Sequence, residues 1–142
     1  MKNPVGCEIV EGKGAAALLA LRLVAGPAFI LHGWPLFQHA FSWMGTALPP
    51  WLQALAAFAE FGGGIAILAG LLTQLAALGI FITMLVAIFY VHIPKGDPFV
   101  AHAPGGGSWE LAAVYLAIMA ALMLRGAGMF SLDALVFRRQ KE

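Results

Sequence analysis

Four long apolar runs, over residues 15–37, 51–72, 75–93 and 108–124, leave this chain few ways to fold. Each holds roughly 17 to 23 residues, about 25 to 35 Å as a helix at ~1.5 Å per residue, which matches a hydrocarbon core of ~30 Å. In lipid every backbone polar group must be satisfied within the chain, so such a run is a helix or a strand of a closed barrel. The alternation of a barrel strand is absent. Charged residues make up only 11% of the 142 residues, against about 25% in soluble domains, too few to cover a water-facing surface. The expectation is an all-α fold: a four-helix transmembrane bundle, one domain, its surface turned to the lipid bilayer.

The separators refine this picture. Pro49 and Pro50 precede the second run, where a helix start tolerates proline. "LLTQLA" joins the second and third runs so tightly that they must be antiparallel neighbours. "PKGDPFVAHAPGGG" makes a long, flexible link to the fourth. A tail over residues 1–14, a bundle over 15–128 and a short C-terminal segment over 129–142 follow. In the last, Ser131 can cap a short interfacial helix with Asp133 in its first turn. Its Leu132, Leu135 and Val136, with Arg138, Arg139 and Lys141, suit the surface of an anionic leaflet. Lys2, Lys13 and the C-terminal basic residues outnumber Lys95 in the opposite loops, so both termini are expected in the cytoplasm of a plasma-membrane protein. Trp34, Trp43, Trp51 and Trp109 then share the outer interface.

Against this background the polar residues inside the runs stand out. Glu60 lies about nine residues into the second run, and a charge there costs about 2.5 to 3.5 kcal/mol on insertion scales. It needs a partner, a proton or a water-filled cavity. Arg22 in the first run is the candidate partner, at a depth differing by roughly 8 Å. The pair could serve function or simply set helix register. Gly62, Ala66 and Gly70 recur every four residues and suit close helix packing. Ala56, Glu60, Gly63 and Gly64 mark a second face, which turns Glu60 into the bundle. Towards the outer side, His32, His92 and Glu110 can join Glu60 around one pocket, with His102 in the long loop. Imidazole and carboxylate can ligate metal, pass protons or hydrogen-bond a quinone carbonyl. For Glu110 and His102, contact with water is the simpler explanation.

Other chemistries find less support. Glu-x-x-His and His-x-x-x-His pairs are missing, so no metal site is expected. A haem between His32 and His92 would lie at one face without an attachment motif. Phosphate loops, nucleophile elbows and dinucleotide fingerprints are absent. A net charge of +1 gives no basic patch for nucleic acid. Cys7 cannot form an internal disulfide, and only "MKNPVG" precedes it, so it is read as an ordinary tail residue. The polar tail also argues against a cleaved signal.

Arg22 followed by "GPAFILHG", then "AEFGGGIAILAGLLTQLAA", a glycine-rich loop into "WELA", and finally "RGAGMFSLD", resembles the DoxX family of small membrane proteins over about residues 15–135. The resemblance implies a four-helix membrane bundle in which Arg22, Glu60 and Glu110 hold recurrent charged positions and His32-Gly33 the HG pair. It also implies a link to quinol oxidation or thiosulfate:quinone oxidoreduction and to membrane redox complexes. Two charges of the family pattern are missing: Gln74 replaces a basic residue after the second helix, and no lysine follows the HG pair.

The first functional expectation is therefore a quinone-linked redox subunit. His32 would donate to a quinone carbonyl, Glu60 would exchange the proton, and Arg22 would tune Glu60. His92 and Glu110 complete the candidate ligand site. No cofactor is expected within the chain beyond a bound quinone; an oxidoreductase partner would carry the electrons. The alternative is a non-catalytic scaffold or assembly factor that recruits a soluble oxidoreductase. A small proton-coupled carrier ranks last, since it would require a homo-oligomer and no inverted repeat is visible.

Overall fold

The computed structural model describes residues 9–138. All regular structure among them is helical: α1 (Gly12–Gln38), α2 (Pro50–Ala69), α3 (Thr73–Val86) continuing into a π-helical segment (Ala87–His92), α4 (Glu110–Arg125) and α5 (Leu132–Arg138). Three stretches are long and apolar enough to cross a membrane: Gly12–Gln38, Pro50–Ala69 and Thr73–His92. With 16 residues, α4 is about 24 Å long, less than a ~30 Å hydrocarbon core. It packs along α3. Its Tyr115 meets Phe29 of α1 edge-on at 4.9 Å, which closes the circle of helices.

The distribution of side chains is that of a protein dissolved in lipid. Small residues fill much of the interior, including Ala15, Ala25, Ala57 and Ala77, and fully buried Arg22 and Gln53 lie among them. Large apolar side chains point outward instead, such as Leu23, Val24, Phe58, Ile65, Leu75 and Ile82, with Leu31 74% exposed. Water would penalise such a surface, whereas lipid does not. Small interior residues let helix backbones approach where packing, not hydrophobic burial, drives association.

The glycines that make this contact are not the expected stripe. A Cβ on Gly62 would meet nothing within 4 Å, and Gly70 lies beyond the end of α2. The close approach runs instead through Gly26 against Leu68, Gly64 against Ile30, and Gly33 against Glu60 and Phe61. A Cβ on Gly64 would sit 2.7 Å from the Ile30 nitrogen, and one on Gly33 would sit 2.7 Å from the Phe61 Cα. These three meetings set the antiparallel register of α1 and α2. Each step up α1 matches a step down α2.

At one end of the bundle, α2 stops at Gly70 in the left-handed region, φ +69°, and Leu71 N–H donates to Ala66 O at 2.9 Å. The turn into α3 is short because its cap comes from far along the chain. Asp133 accepts from Leu72 N–H at 2.7 Å and Thr73 N–H at 3.1 Å, and its own N–H donates to Gly70 O at 2.8 Å. Asp133 does stand in the first turn of α5, as expected, and its side chain in addition caps the start of α3. Ser131 does cap α5, accepting from Ala134 N–H at 3.1 Å and donating to Gly128 O at 2.6 Å. Leu132, Leu135 and Val136 face outward, as a surface-lying helix requires. Lys2, Cys7, Arg139 and Lys141, and the side chain of Arg138, fall outside the described residues.

Candidate functional site

Two cavities meet at Glu60, midway along α2. One, of about 260 Å³, is lined by His32 of α1, His92 of the π segment, and Ser108 and Tyr115 on the α4 side, as well as Glu60. The other, of about 700 Å³, is an apolar groove between α2 and α3. Leu55, Ala59, Leu78, Ile82 and Tyr90 are among its walls, and Glu60 is its acidic residue. Tyr90 is 77% exposed, so the groove opens towards the lipid side of the bundle. Among the described residues, Glu60 has no hydrogen-bond or ion-pair partner.

Backbone geometry places each of these side chains. Gly33 lets α1 press onto α2 at Glu60–Phe61, which brings the neighbouring His32 to the same cavity. Behind Glu60, α3 loosens into the π segment, where Ile93 N–H reaches back five residues to Ile88 O at 2.9 Å. Such wide turns are rare and tend to occur at functional sites. This one presents Ala87 to both cavities, Tyr90 to the groove and His92 to the polar cavity. His92 Nδ1 lies 2.8 Å from Asp97 Oδ2, and Asp97 N–H donates to His92 O at 3.1 Å. Gly107 passes so close that a Cβ there would fall on the Asp97 carboxylate. Trp34, Phe37, Phe58 and Phe61, the residue after Glu60, form an aromatic cluster with ring centroids 4.9 to 6.4 Å apart.

Arg22 is not part of this site, and its expected pairing with Glu60 is overturned. Its Nε donates to Ile67 O at 2.8 Å, Nη2 to Leu68 O at 3.0 Å, and Nη1 to Ala127 O at 3.1 Å and Phe130 O at 2.8 Å. The register explains why. Gly33 meets Glu60 and Phe61, whereas Gly26 meets Leu68, so Arg22 lies about 18 Å below Glu60 along the axis at ~1.5 Å per residue. Carbonyls at a helix C-terminus have no intrahelical donors, and the Arg22 fork satisfies two of them at the end of α2. Lengths measured from the ends of apolar runs put the two residues too close, because the helices begin elsewhere and slide past one another.

Of the remaining candidates, Glu110 opens α4 in an exposed position and does not line either cavity, and His102 is exposed in the long loop. Among the described residues no three His, Cys, Asp or Glu side chains converge closely enough to hold a metal ion. The sequence reading missed Tyr115, Ser108 and Asp97. It also missed Gln53, which folds the loop at the mouth of the groove. Gln53 accepts from Met44 N–H at 2.8 Å and donates to Gly45 O at 2.9 Å and Leu48 O at 2.7 Å. A lone glutamine in an apolar run was the available signal. Gln74, which stands where a basic residue was looked for, donates to Met123 O at 2.7 Å and links α3 to α4.

A protein of Haemophilus influenzae, described as uncharacterized, is 33% identical over 126 residues, which span 86% of this chain and 92% of that one. No solved structure matches the chain. The sequence model of the DoxX family matches residues 17–93, which include Arg22, His32, Glu60 and His92 but neither α4 nor the closing "RGAGMFSLD". The match spans more than half of the chain, and with it the two helices whose glycine register carries Glu60: this membrane protein belongs to the DoxX family.

Proposed function

We propose that the protein is a quinone-binding subunit of a redox complex in the plasma membrane, crossing it four times with both termini in the cytoplasm. One observation carries the reading: an unpaired acid stands where a lipid-facing groove of about 700 Å³ joins a polar cavity holding two histidines. Ligand pockets of ~300 to 1,000 Å³ that are mostly apolar with a few convergent polar groups hold molecules of this class. A quinone's isoprenoid tail would lie along Leu55, Leu78 and Ile82, and its ring would reach Glu60. His32 donates to one carbonyl oxygen, and Glu60 supplies the proton that the reduced oxygen takes up. A partner oxidoreductase subunit delivers two electrons, and Glu60, reloaded from water between transfers, delivers the two protons, so that quinone becomes quinol. Arg22 holds the bundle and has no part in this chemistry.

Binding of a short-tailed quinone to the protein in lipid nanodiscs tests the proposal. Glu60→Gln and His32→Ala should each weaken it at least tenfold. Unchanged affinity in both, with only phospholipid recovered from the groove, overturns it. A scaffold role has one observation in its favour: Leu132, Leu135 and Val136 form an exposed apolar face on α5. Under that reading, capture of a soluble oxidoreductase survives Glu60→Gln and is lost in a Leu135→Asp, Val136→Asp double variant. Deleting the segment would be a poorer test, since Asp133 would go with it.

A further inference from the structure

We infer that the His92–Asp97 pair is a proton port, through which Glu60 exchanges protons with the aqueous phase on the loop side without using the lipid-facing groove. The inference deepens the quinone reading in one respect: Glu60 is the acid that must be reloaded after each proton it gives up.

Three observations converge. First, Glu60 belongs to two cavities of opposite character, and the polar one has His92 in its wall. A ligand tail filling the groove would seal that side against water and leave the polar cavity as the way in. At ~30 Å³ per water, a cavity of about 260 Å³ has room for several in a chain. Second, the pair is partly exposed, 27% for His92 and 21% for Asp97, so it borders both the cavity and the loop surface. Third, it is built in place. The π segment directs His92, the Asp97 N–H to His92 O bond closes the turn, and Gly107 makes room for the carboxylate.

The chemistry follows from the geometry. Asp97 Oδ2 holds the Nδ1–H of the imidazole, which leaves Nε2 as the ring nitrogen that can take a proton. A proton taken up there passes to the cavity and thence to the Glu60 carboxylate. His92 returns to the neutral tautomer, so each transfer moves one proton and no other charge. The other titratable groups facing Glu60 are His32 from α1, Tyr115 from α4 and Tyr90 from the π segment. A relay through any of these would not need Asp97.

Infrared difference spectroscopy on the full chain in lipid vesicles tests the inference without any quinone. After a pH jump, the carboxyl band that disappears in Glu60→Gln reports how fast Glu60 gains or loses its proton. His92→Phe keeps the ring volume and removes both nitrogens; Asp97→Asn keeps the shape and removes the charge. Each should slow the response at least tenfold, while His102→Ala, in the same loop, leaves it unchanged. Rates within twofold of the native protein in both variants overturn the port, as does a Glu60 band that never responds to pH. Loss of quinone binding in Glu60→Gln would stand or fall apart from these rates.

Discussion

A guanidinium sealed among helices invites a search for its carboxylate, yet Arg22 spends its donors on four backbone oxygens, at Ile67, Leu68, Ala127 and Phe130. Hydrogen bonds from a charged donor are worth ~1.5 to 3 kcal/mol each. Arg22→Met should therefore destabilise the bundle by about 3 kcal/mol or more, and Arg22→Lys should restore only part, because an ammonium cannot span the same fork. Thermal unfolding in detergent, followed by circular dichroism, checks both. Thr73 is the opposite case. Among the described residues its hydroxyl is buried without a partner, so Thr73→Val should change stability by less than ~0.5 kcal/mol or raise it. Depth arithmetic made Glu60 conspicuous in the sequence and made Arg22 look like its counterion. Only the first survives, because burial depends on the residue's own run and pairing depends on the register between two.

Among the elements, the join between α2 and α3 shows how a distant segment can finish a local structure. Leu72, the residue before α3, has φ +47°, where a non-glycine residue is strained, and Asp133 binds its N–H. Asp133→Ala should cost ~1 to 2 kcal/mol, as lost helix caps do, and hydrogen exchange should quicken at the Leu72 and Thr73 amides before elsewhere in α3. Leu72→Gly removes a left-handed penalty of ~1 to 2 kcal/mol, and should recover part of that loss in the double variant. Gln53 plays a comparable part at the other end. Gln53→Leu should free the loop over residues 39–49, shift the emission of Trp43 to longer wavelength, and leave the helices formed, since its bonds go to Met44, Gly45 and Leu48. Helix α4 also belongs to this scale. Its apolar run suggests a fourth span, but as built it is about a turn or more shorter than α3 with its π segment, at 16 residues against 20.

For the whole molecule, small residues inside and large apolar ones outside make helix approach the central quantity. Gly33→Ala would place a methyl on the Phe61 backbone. Overpacking of this kind costs ~1 to 3 kcal/mol, and here it should also part α1 from α2 at Glu60, so quinone affinity should fall with stability. Topology is a separate matter, governed by lysine and arginine in the flanks. With Cys7 replaced by serine, a cysteine at position 102 should react with an impermeant maleimide added to intact cells, and one at position 13 should react only after lysis.

Apolar run length alone determined the helices, their approximate limits and their lipid surroundings, because the bilayer's thickness and its lack of hydrogen-bond partners act on each segment separately. The same reasoning singled out Glu60, too polar to be there for hydrophobicity, whereas capping residues and the family resemblance picked out the "RGAGMFSLD" stretch. Which groups meet was decided in three dimensions. Gly26, Gly33 and Gly64 slide α1 along α2, so that the acid finds His32 and a groove while the arginine finds the ends of backbones. The fold of the closing segment sends Asp133 to α3. Contacts between residues 45 to 108 positions apart depend on helix register and turn geometry, which a one-dimensional pattern of polarity does not contain.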